Sequence, residues 1–194
     1  MRYPILLAFL LLAPSACSTT PGDAAYRSGH SPQAAELYRR GAANGDADAA
    51  LKLGLMIDDG AASRTAFGTA GQWFLRACDL GDEVGCHNVG VGFEYGKSGL
   101  ERNYDNARDY YERAASRGYI QSQYNLGSMY ANQYFHSDAQ GLAWLLRAQR
   151  GAQKCASQPT CNWILRDPPG HVARLKARLT PEQIADVESH LGSQ

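Results

Sequence analysis

The sequence predicts an all-α protein, a right-handed α–α superhelix (solenoid) of about three to four helix-pair repeats with a C-terminal helical cap. Three observations lead to this prediction. Two blocks of sequence recur at intervals of about 36 residues, the blocks have apolar positions at helical spacing, and the chain is rich in Ala and Gly. An apolar fraction of 44% is too high for a disordered chain, and Ile and Val, which favour strands, are scarce.

The first recurring block carries a glycine at a fixed position of a predicted helix. Gly54, Gly90 and Gly127 end three copies of it, 36 and 37 residues apart. In each copy the residues around the glycine fall at i, i+3, i+4 and i+7, which is the stripe that one helix face buries. A glycine inside a helix costs about 1 kcal/mol relative to alanine. Its return at one phase predicts that a neighbouring helix crosses closely at each glycine.

The second recurring block begins with an aromatic residue, continues with small residues and closes with a glycine that suits a left-handed helix end. Its copies run over 38–45, 74–81 and 111–118, and a weaker copy over 144–151 begins with Trp144. The closing glycines are 36, 37 and 33 residues apart. Together the two blocks predict antiparallel helix pairs, and because neither helix can bury its face alone, the pairs are expected to stack.

These blocks resemble the Sel-one-like repeat, a relative of the tetratricopeptide repeat, in the pattern A-x-x-L-G-x-x-Y, an aromatic pair and an A-A-x-x-G ending. The copy over 86–118 matches best, because its segment 96–100 resembles the family's inter-helix loop and the aromatic pair follows at 110–111. The resemblance covers about residues 33–152. It implies stacked helix pairs whose first helices line a groove for a protein or peptide partner.

The cysteines bear on both the compartment and the fold. Apart from Cys17 they form two close pairs, Cys78 with Cys86 and Cys155 with Cys161, and neither has the spacing of a zinc site. The resemblance is to a cysteine-rich branch of the family in which disulfides eight residues apart pin successive helices, which implies a Cys78–Cys86 bond. The alternative is two reduced, buried residues. A Cys155–Cys161 bond is expected to clip the loop that leaves the last repeat.

The N-terminus resembles an export signal. Residues 1–16 combine Arg2, a nine-residue apolar run that is too short to span a bilayer, and small residues before Cys17. This stretch resembles a bacterial lipoprotein signal, in which the cysteine is lipidated, and Ser18 resembles the pattern that directs such proteins to the outer membrane, facing the periplasm. Residues 17–31 are expected to be a lipid-anchored tether. The alternative is an ordinary secretory signal and a soluble periplasmic or secreted protein.

The remaining boundaries follow from these segments. Residues 32–153 are expected to form the solenoid, and residues 154–194 a disulfide-clipped loop and a C-terminal helical cap. Thr180, Pro181 and Gln183 have the residue types of a helix N-terminus, namely N-cap, first helical residue and capping-box partner. A narrow apolar stripe follows them and is expected to cover the exposed face of the last repeat.

The sequence offers little evidence for catalysis. It contains no G-x-S-x-G, S-x-x-K, H-E-x-x-H or P-loop motif, and its five histidines are scattered. We therefore expect no enzyme, no metal and no cofactor. The alternative is a cell-wall-active or β-lactam-hydrolysing enzyme, since some cysteine-rich members of the family were associated with β-lactam binding. With 19 Lys and Arg against 19 Asp and Glu, the zero net charge argues against a nucleic-acid partner.

The predicted function depends on the surface of the first helices. Positions next to the buried stripe mix amides, a tyrosine and apolar groups, which suits a protein or peptide partner better than a deep ligand pocket. The candidate partner-binding residues are Lys52, Asn88, Val91, Tyr95, Asn125 and Ser128, together with Tyr134 and Phe135 in the last inter-helix loop. The alternative is that they are ordinary exposed positions. The sequence thus predicts an envelope lipoprotein that acts as a protein-binding scaffold or adaptor, or as an immunity protein against a toxin delivered into the periplasm.

Overall fold

A computed structural model describes residues 20–167 and 170–192, so the expected signal segment 1–16 and the lipidation site Cys17 lie outside the described residues. Within these ranges the regular structure is entirely helical, as the sequence predicts. The helices are α1 (Pro21–Arg27), α2 (Ser31–Ala43), α3 (Ala47–Asp58), α4 (Arg64–Phe67), α5 (Ala70–Asp79), α6 (Glu83–Tyr95), α7 (Tyr104–Ala115), α8 (Ile120–Ala131), α9 (Asp138–Gln153), α10 (Pro159–Arg166), α11 (His171–Lys176) and α12 (Pro181–Gly192). No helix in these ranges combines the length and the apolar character that crossing a membrane requires.

The helices stack in chain order. From α1 to α9 each helix packs on the next, except that the short α4 lies in the connection between α3 and α5, which contact each other directly. A stack in which each element contacts its neighbours along the chain is the arrangement of a solenoid. The predicted fold class is therefore confirmed.

Tight turns end the second helix of each pair, namely α2, α5 and α7, at the predicted glycines. Gly45, Gly81 and Gly118 have φ angles of 89°, 101° and 91°, in the left-handed region that glycine enters without steric cost. After the first two turns, Asp46 and Asp82 each accept a hydrogen bond from the third backbone N–H of the next helix. The glycine and the aspartate together fix where α3 and α6 begin.

The predicted close crossings at the repeated glycines are confirmed. A Cβ atom on Gly54 would lie 2.6 Å from the Phe74 ring, and one on Gly90 would lie 2.6 Å from the Tyr111 ring. These distances are shorter than van der Waals contact, so any larger residue forces the neighbouring ring to move. The glycine is needed at each crossing because the helices approach more closely than a side chain allows.

The weaker fourth copy of the second block is shifted by one residue from its predicted register. Leu145 lies opposite Gly127, with its side chain 2.5 Å from a Cβ placed on that glycine, whereas Trp144 is half-buried beside Arg147. Gly151 closes no turn, because α9 continues past it. The prediction that Trp144 begins this block and Gly151 ends it is wrong, since the shift leaves the glycine inside a longer helix.

The solenoid begins earlier in the chain than the sequence predicts. α1 starts in a capping box in which Thr20 and Asp23 each accept a hydrogen bond from the other's backbone N–H through their side chains. Gly22 is buried, and a Cβ atom on it would lie 2.6 Å from the Tyr38 ring, which makes this pair a further glycine crossing. The expected tether over 17–31 is therefore corrected from residue 20 onward, because this part is helical and packs on α2.

Both predicted disulfides are present. Cys78 in α5 and Cys86 in α6 have Cα atoms 4.5 Å apart, and both side chains are fully buried. The Cys155–Cys161 bond, with Cα atoms 5.8 Å apart, joins the end of α9 to α10. α10 is a helix where the sequence predicted a loop, and it packs on α9. The second disulfide thus fastens the C-terminal segment to the last helix pair.

The C-terminal helical cap is confirmed. α12 begins at the predicted capping box, in which the Thr180 N–H donates to Gln183 Oε1 at 2.9 Å and the Gln183 N–H donates to Thr180 Oγ1 at 3.3 Å. Val187 and Leu191 on this helix are buried in the cluster that surrounds α9. The cap covers the face of the last pair that has no following repeat.

Candidate partner-binding surface

Six of the candidate residues lie along α3, α6 and α8, and we call the surface that they form the first-helix face. Its members are Lys52, Asn88, Val91, Tyr95, Asn125 and Ser128. Tyr95 is exposed, and the other five are half-buried. Lys52, Asn88 and Asn125 hold equivalent positions, two residues before a crossing glycine, so their surroundings can be compared directly.

Lys52 belongs to an internal network of charges. Its Nζ atom lies 2.7 Å from Asp23 Oδ1 and 2.6 Å from Asp48 Oδ2. The Tyr38 hydroxyl donates to the same Asp23 oxygen at 2.7 Å. The hydrogen bond from Lys52, followed by that from Tyr38, holds the pKa of Asp23 well below its usual range. The first of the three equivalent positions is therefore occupied from within the molecule.

Asn125 is held by a buried tyrosine. Its Nδ2 atom donates to the Tyr111 hydroxyl at 3.1 Å, and that hydroxyl donates to Glu94 Oε2 at 2.7 Å. Burial, followed by the charge of Glu94, raises the pKa of Tyr111 far above its usual range. Ser128 donates its hydroxyl to the Asn125 backbone carbonyl at 2.8 Å. One N–H of the Asn125 amide is thus committed to Tyr111, which ties this position to the fold.

Asn88 differs because the aromatic residue of the preceding pair is Phe74, which has no hydroxyl group. The Asn88 side-chain amide forms no hydrogen bond with any of the described residues, and its atoms are not sealed from solvent. Val91 follows it by one helical turn and is half-buried. Of the three equivalent positions, this is the one whose side chain forms no bond to the described residues, and it lies beside an apolar group.

The structure brings Tyr95 and Tyr134, which the sequence predicted separately, to one exposed group of aromatic rings. Tyr134 stacks on Tyr104 with ring centroids 4.3 Å apart, and Lys97 Nζ lies 5.5 Å from the centre of the Tyr95 ring. Partial burial, followed by the charge of Glu94, raises the pKa of Tyr95 to about 12, and the two other tyrosines act in the same direction. We call Tyr95, Tyr104 and Tyr134 the aromatic cluster. Sequence reasoning missed Tyr104, whose position at a helix start gave no sign of this contact.

Phe135, the remaining candidate, lies against the core and not on the exposed surface. Its ring centroid is 5.6 Å from that of Tyr130, and the Arg108 guanidinium lies 4.7 Å from its centre. Its half-buried side chain packs on the buried residues around Met129. The two adjacent aromatic residues of this loop therefore differ, because Tyr134 is exposed to solvent and Phe135 packs on the core.

A cleft of 460 Å³ opens at the N-terminal end of the first-helix face, and Lys52, one of the candidate residues, lines it. Its walls include Tyr26, Arg27, Leu55, Met56 and Asp59, and we call it the α1–α3 cleft. Tyr26 and Leu55 are 45% and 41% exposed, which is high for apolar side chains of this size. Tyr26 and Arg27 at the end of α1 form one side of the cleft, and Leu55 and Met56 in the last turn of α3 form the other.

Two largely buried histidines form hydrogen bonds between helices. His87 Nδ1 lies 2.9 Å from Ser122 Oγ, and burial lowers the pKa of His87 to about 4. The Tyr124 hydroxyl donates to Asp167 at 2.8 Å and lies 3.0 Å from His171 Nδ1, which joins α8 to the cap. Tyr124 and His171 are only 3% and 6% exposed. Among the residues that the structure describes, no three His, Cys, Asp or Glu side chains are grouped so that they could hold a metal ion.

The fold is similar to that of known repeat proteins. A Sel1 repeat protein from Oxalobacter formigenes shares 21% sequence identity with a TM-score of 0.58, over 71% of this chain and 59% of that one. A protective antigen present in uropathogenic Escherichia coli strains, which displays an SLR fold, shares 16% identity with a TM-score of 0.48, over 85% of this chain and 50% of that one. This chain therefore spans between half and two thirds of the length of these two proteins.

The sequence match identifies the repeat. Residues 31–46, 47–82, 84–119 and 120–148 match the Sel1 repeat, and together they make up more than half of the chain. No curated protein matches the sequence. The crossing of Gly22 with Tyr38 shows that the stack extends one helix further towards the N-terminus than these matches do. The chain belongs to the Sel1 repeat family, whose repeats form scaffolds for protein–protein interaction.

Proposed function

We propose that this protein is an envelope lipoprotein whose solenoid binds a segment of a partner protein, as a scaffold or adaptor. The binding site is centred on Asn88 and Val91 of the first-helix face and extends to the aromatic cluster. Sel1 repeats typically mediate protein–protein interaction, and proteins built from them are generally not catalytic, which supports a binding role.

The free amide of Asn88 carries this proposal. The equivalent side chains of Lys52 and Asn125 are bonded to residues inside the molecule, and the Asn88 amide is not bonded to any described residue. A donor and an acceptor beside Val91 and the exposed Tyr95 combine the polar anchor and the apolar contact that protein interfaces require. The Asn88 amide can pair with the backbone of a partner segment. The backbone groups of the solenoid helices are not available for this, because they are hydrogen-bonded within the helices.

Two features support the envelope address. The cysteines at 78 and 86 and those at 155 and 161 are joined as disulfides, which persist in oxidising compartments such as the bacterial periplasm. The chain before the fold resembles a lipoprotein signal with Cys17 as the modified residue. We infer an anchor at Cys17 in the outer membrane, with the solenoid facing the periplasm.

The test is affinity capture of the partner from envelope extracts with the intact lipoprotein. Asn88→Arg puts a long charged side chain at the centre of the site and is expected to lower the captured partner about tenfold or more, the size of a hot-spot loss. Gln33→Arg is the matched control, because Gln33 is an exposed amide on α2. Asn125 is a poor choice for this test, since its amide also holds Tyr111 in place.

Full retention of the partner by a folded Asn88→Arg variant contradicts the proposal. The captured protein then separates the two roles that the sequence predicted. A component of envelope assembly or secretion indicates an adaptor, and a toxin delivered into the periplasm indicates an immunity protein. Turnover of a chromogenic β-lactam by the purified protein would instead favour the enzyme alternative.

A further inference from the structure

The fold leaves a short length of chain between Cys17 and the solenoid. The capping box at Thr20 begins α1, so only three residue steps separate Cys17 from the first residue of the folded body. An extended chain spans at most about 3.6 Å per residue, which gives about 11 Å over this interval. A lipid on Cys17 would therefore hold α1 directly at the headgroup region of the bilayer and not at the end of a long tether.

The α1–α3 cleft lies next to this attachment point. Tyr26 follows Thr20 by six residues, which is about 9 Å along a helix axis. Leu55 of α3 lines the same cleft. The exposed large apolar side chains of the described residues are Tyr26, Leu55, Tyr95, Tyr134 and Trp163. The first two of these are therefore the ones that adjoin the anchor, and the others lie on later parts of the chain.

The charges around the cleft suit a lipid surface better than a strongly charged peptide. Asp23 and Lys52 pair at 2.7 Å, and Arg27 and Asp59 add one charge of each sign to the lining. Asp48 also pairs with Lys52, at 2.6 Å, so the charges at the cleft balance to within one negative charge and attract no strongly charged partner. A tyrosine, a leucine and an arginine are a typical combination at a bilayer interface, where the apolar parts insert and the polar ends stay hydrated.

We propose that, in the lipidated protein, the α1–α3 cleft rests on the bilayer and places Tyr26 and Leu55 in its interfacial region. This inference rests on the proposed lipid anchor at Cys17. It fixes the orientation of the solenoid, because α1 and α3 then face the membrane and the later helices lie further from it.

The test uses the full lipoprotein in vesicles of phosphatidylethanolamine and phosphatidylglycerol, with an alkyne tag on the phosphatidylethanolamine. The photo-crosslinking residue p-benzoylphenylalanine replaces Tyr26 in one variant and Tyr95 in the matched control, because these tyrosines are 45% and 51% exposed. The same replacement of Leu55 reports on α3 independently of α1. We expect lipid adducts at positions 26 and 55 to exceed those at position 95 about fivefold or more, because apolar insertion brings them to the acyl boundary.

The outcomes separate this inference from the proposed function. Equal lipid adducts at positions 26 and 95, in protein whose Cys17 carries lipid by mass spectrometry, overturn the inference and leave the anchor in place. Absence of lipid on Cys17 overturns both the anchor and the inference. Adducts of position 26 with a second copy of the protein in place of lipid also overturn the inference, because they place the cleft against protein.

Discussion

Two crossings in the middle of the solenoid share their geometry and differ in one hydroxyl group. Gly54 meets Phe74 at the first and Gly90 meets Tyr111 at the second, each with 2.6 Å between a Cβ placed on the glycine and the ring. The Tyr111 hydroxyl accepts a hydrogen bond from the amide of Asn125 on the next first helix. Phe74 offers nothing equivalent to the helix that follows it.

That difference decides which first-helix side chains are available to a partner. Asn125 completes an internal network, whereas Asn88, which follows Phe74, keeps its amide free of the described residues. The repeat thus separates two properties. The glycine sets how closely two helices approach, and the aromatic residue decides whether the next amide is structural or free to bind.

The largest expected change in the free energy of unfolding comes from His87, a titratable group beside the Gly90–Tyr111 crossing that has no counterpart at the Gly54–Phe74 crossing. The ring of His87 lies 5.6 Å from that of Tyr111, at a position where the previous repeat has Leu51. Burial lowers the pKa of His87 to about 4, from 6.5 in the unfolded chain. Because the unfolded chain binds the proton first as the pH falls, this contribution to stability is complete above pH 6.5 and decreases towards pH 4.

Urea unfolding at pH 7 and pH 4.5 measures this contribution. The free energy of unfolding is expected to fall by between about 2 and 3 kcal/mol from His87 alone, because pH 4.5 is not far enough below the unfolded pKa to express the full shift at 1.36 kcal/mol per pKa unit. His87→Gln keeps a hydrogen-bonding group for Ser122 and should remove most of this dependence. The pH dependence that remains includes a contribution from His171, because burial also lowers the pKa of that side chain. Identical pH dependence in the wild type and the variant would contradict the assignment.

Replacing the glycine with a larger residue tests the close approach of the helices, which the two crossings share. Gly90→Val is expected to lower the free energy of unfolding by about 2 kcal/mol, because its side chain overlaps the Tyr111 ring. Gly54→Val should cost a similar amount, since the distance to Phe74 is the same. Chemical denaturation of both variants provides the measurement. In a Tyr111→Ala background the cost of Gly90→Val should largely disappear, and an undiminished cost would show that the ring is not the cause.

Removing the hydroxyl from the second crossing gives the smallest expected change. Tyr111→Phe is expected to lower the free energy of unfolding by about 1 kcal/mol, the usual contribution of one hydrogen bond, because Glu94 and Asn125 lose their shared partner. Tyr110→Phe is the matched control, since the Tyr110 hydroxyl forms no hydrogen bond with the described residues. Equal denaturation midpoints for the two variants would contradict the proposed network.

Sequence periodicity was sufficient to locate the three central crossings, because a mid-helix glycine that recurs at one phase is costly unless a neighbour requires it. It was not sufficient for Gly22, since α1 has only 7 residues and contains no complete copy of either block. It also could not choose between Trp144 and Leu145. Both are large and adjacent, and only packing shows that Leu145 meets Gly127.

The sequence predicted where the candidate residues lie along the helices, but not which of their side chains are free to bind a partner. Their spacing from the glycines placed Lys52, Asn88 and Asn125 at equivalent positions of the first helices, and each of them is half-buried there. Whether each side chain is free depends on a residue in the preceding repeat, and helical periodicity within one repeat does not contain that information. Tyr104 was missed for the same reason, because its contact with Tyr134 joins the start of α7 to the loop after α8, which is far from it in sequence.

The most direct test of the central claim is to convert the first crossing into the second with Phe74→Tyr. Asp58 holds the position equivalent to that of Glu94, so a carboxylate can accept from the new hydroxyl, and Asn88 can donate to it. We predict a melting temperature raised by about 2–4 °C and about a fivefold fall in the partner captured from envelope extracts, because an internal hydrogen bond of about 1 kcal/mol stabilises the fold and competes with the partner. Undiminished capture by a folded Phe74→Tyr variant would contradict the claim that the free Asn88 amide binds the partner.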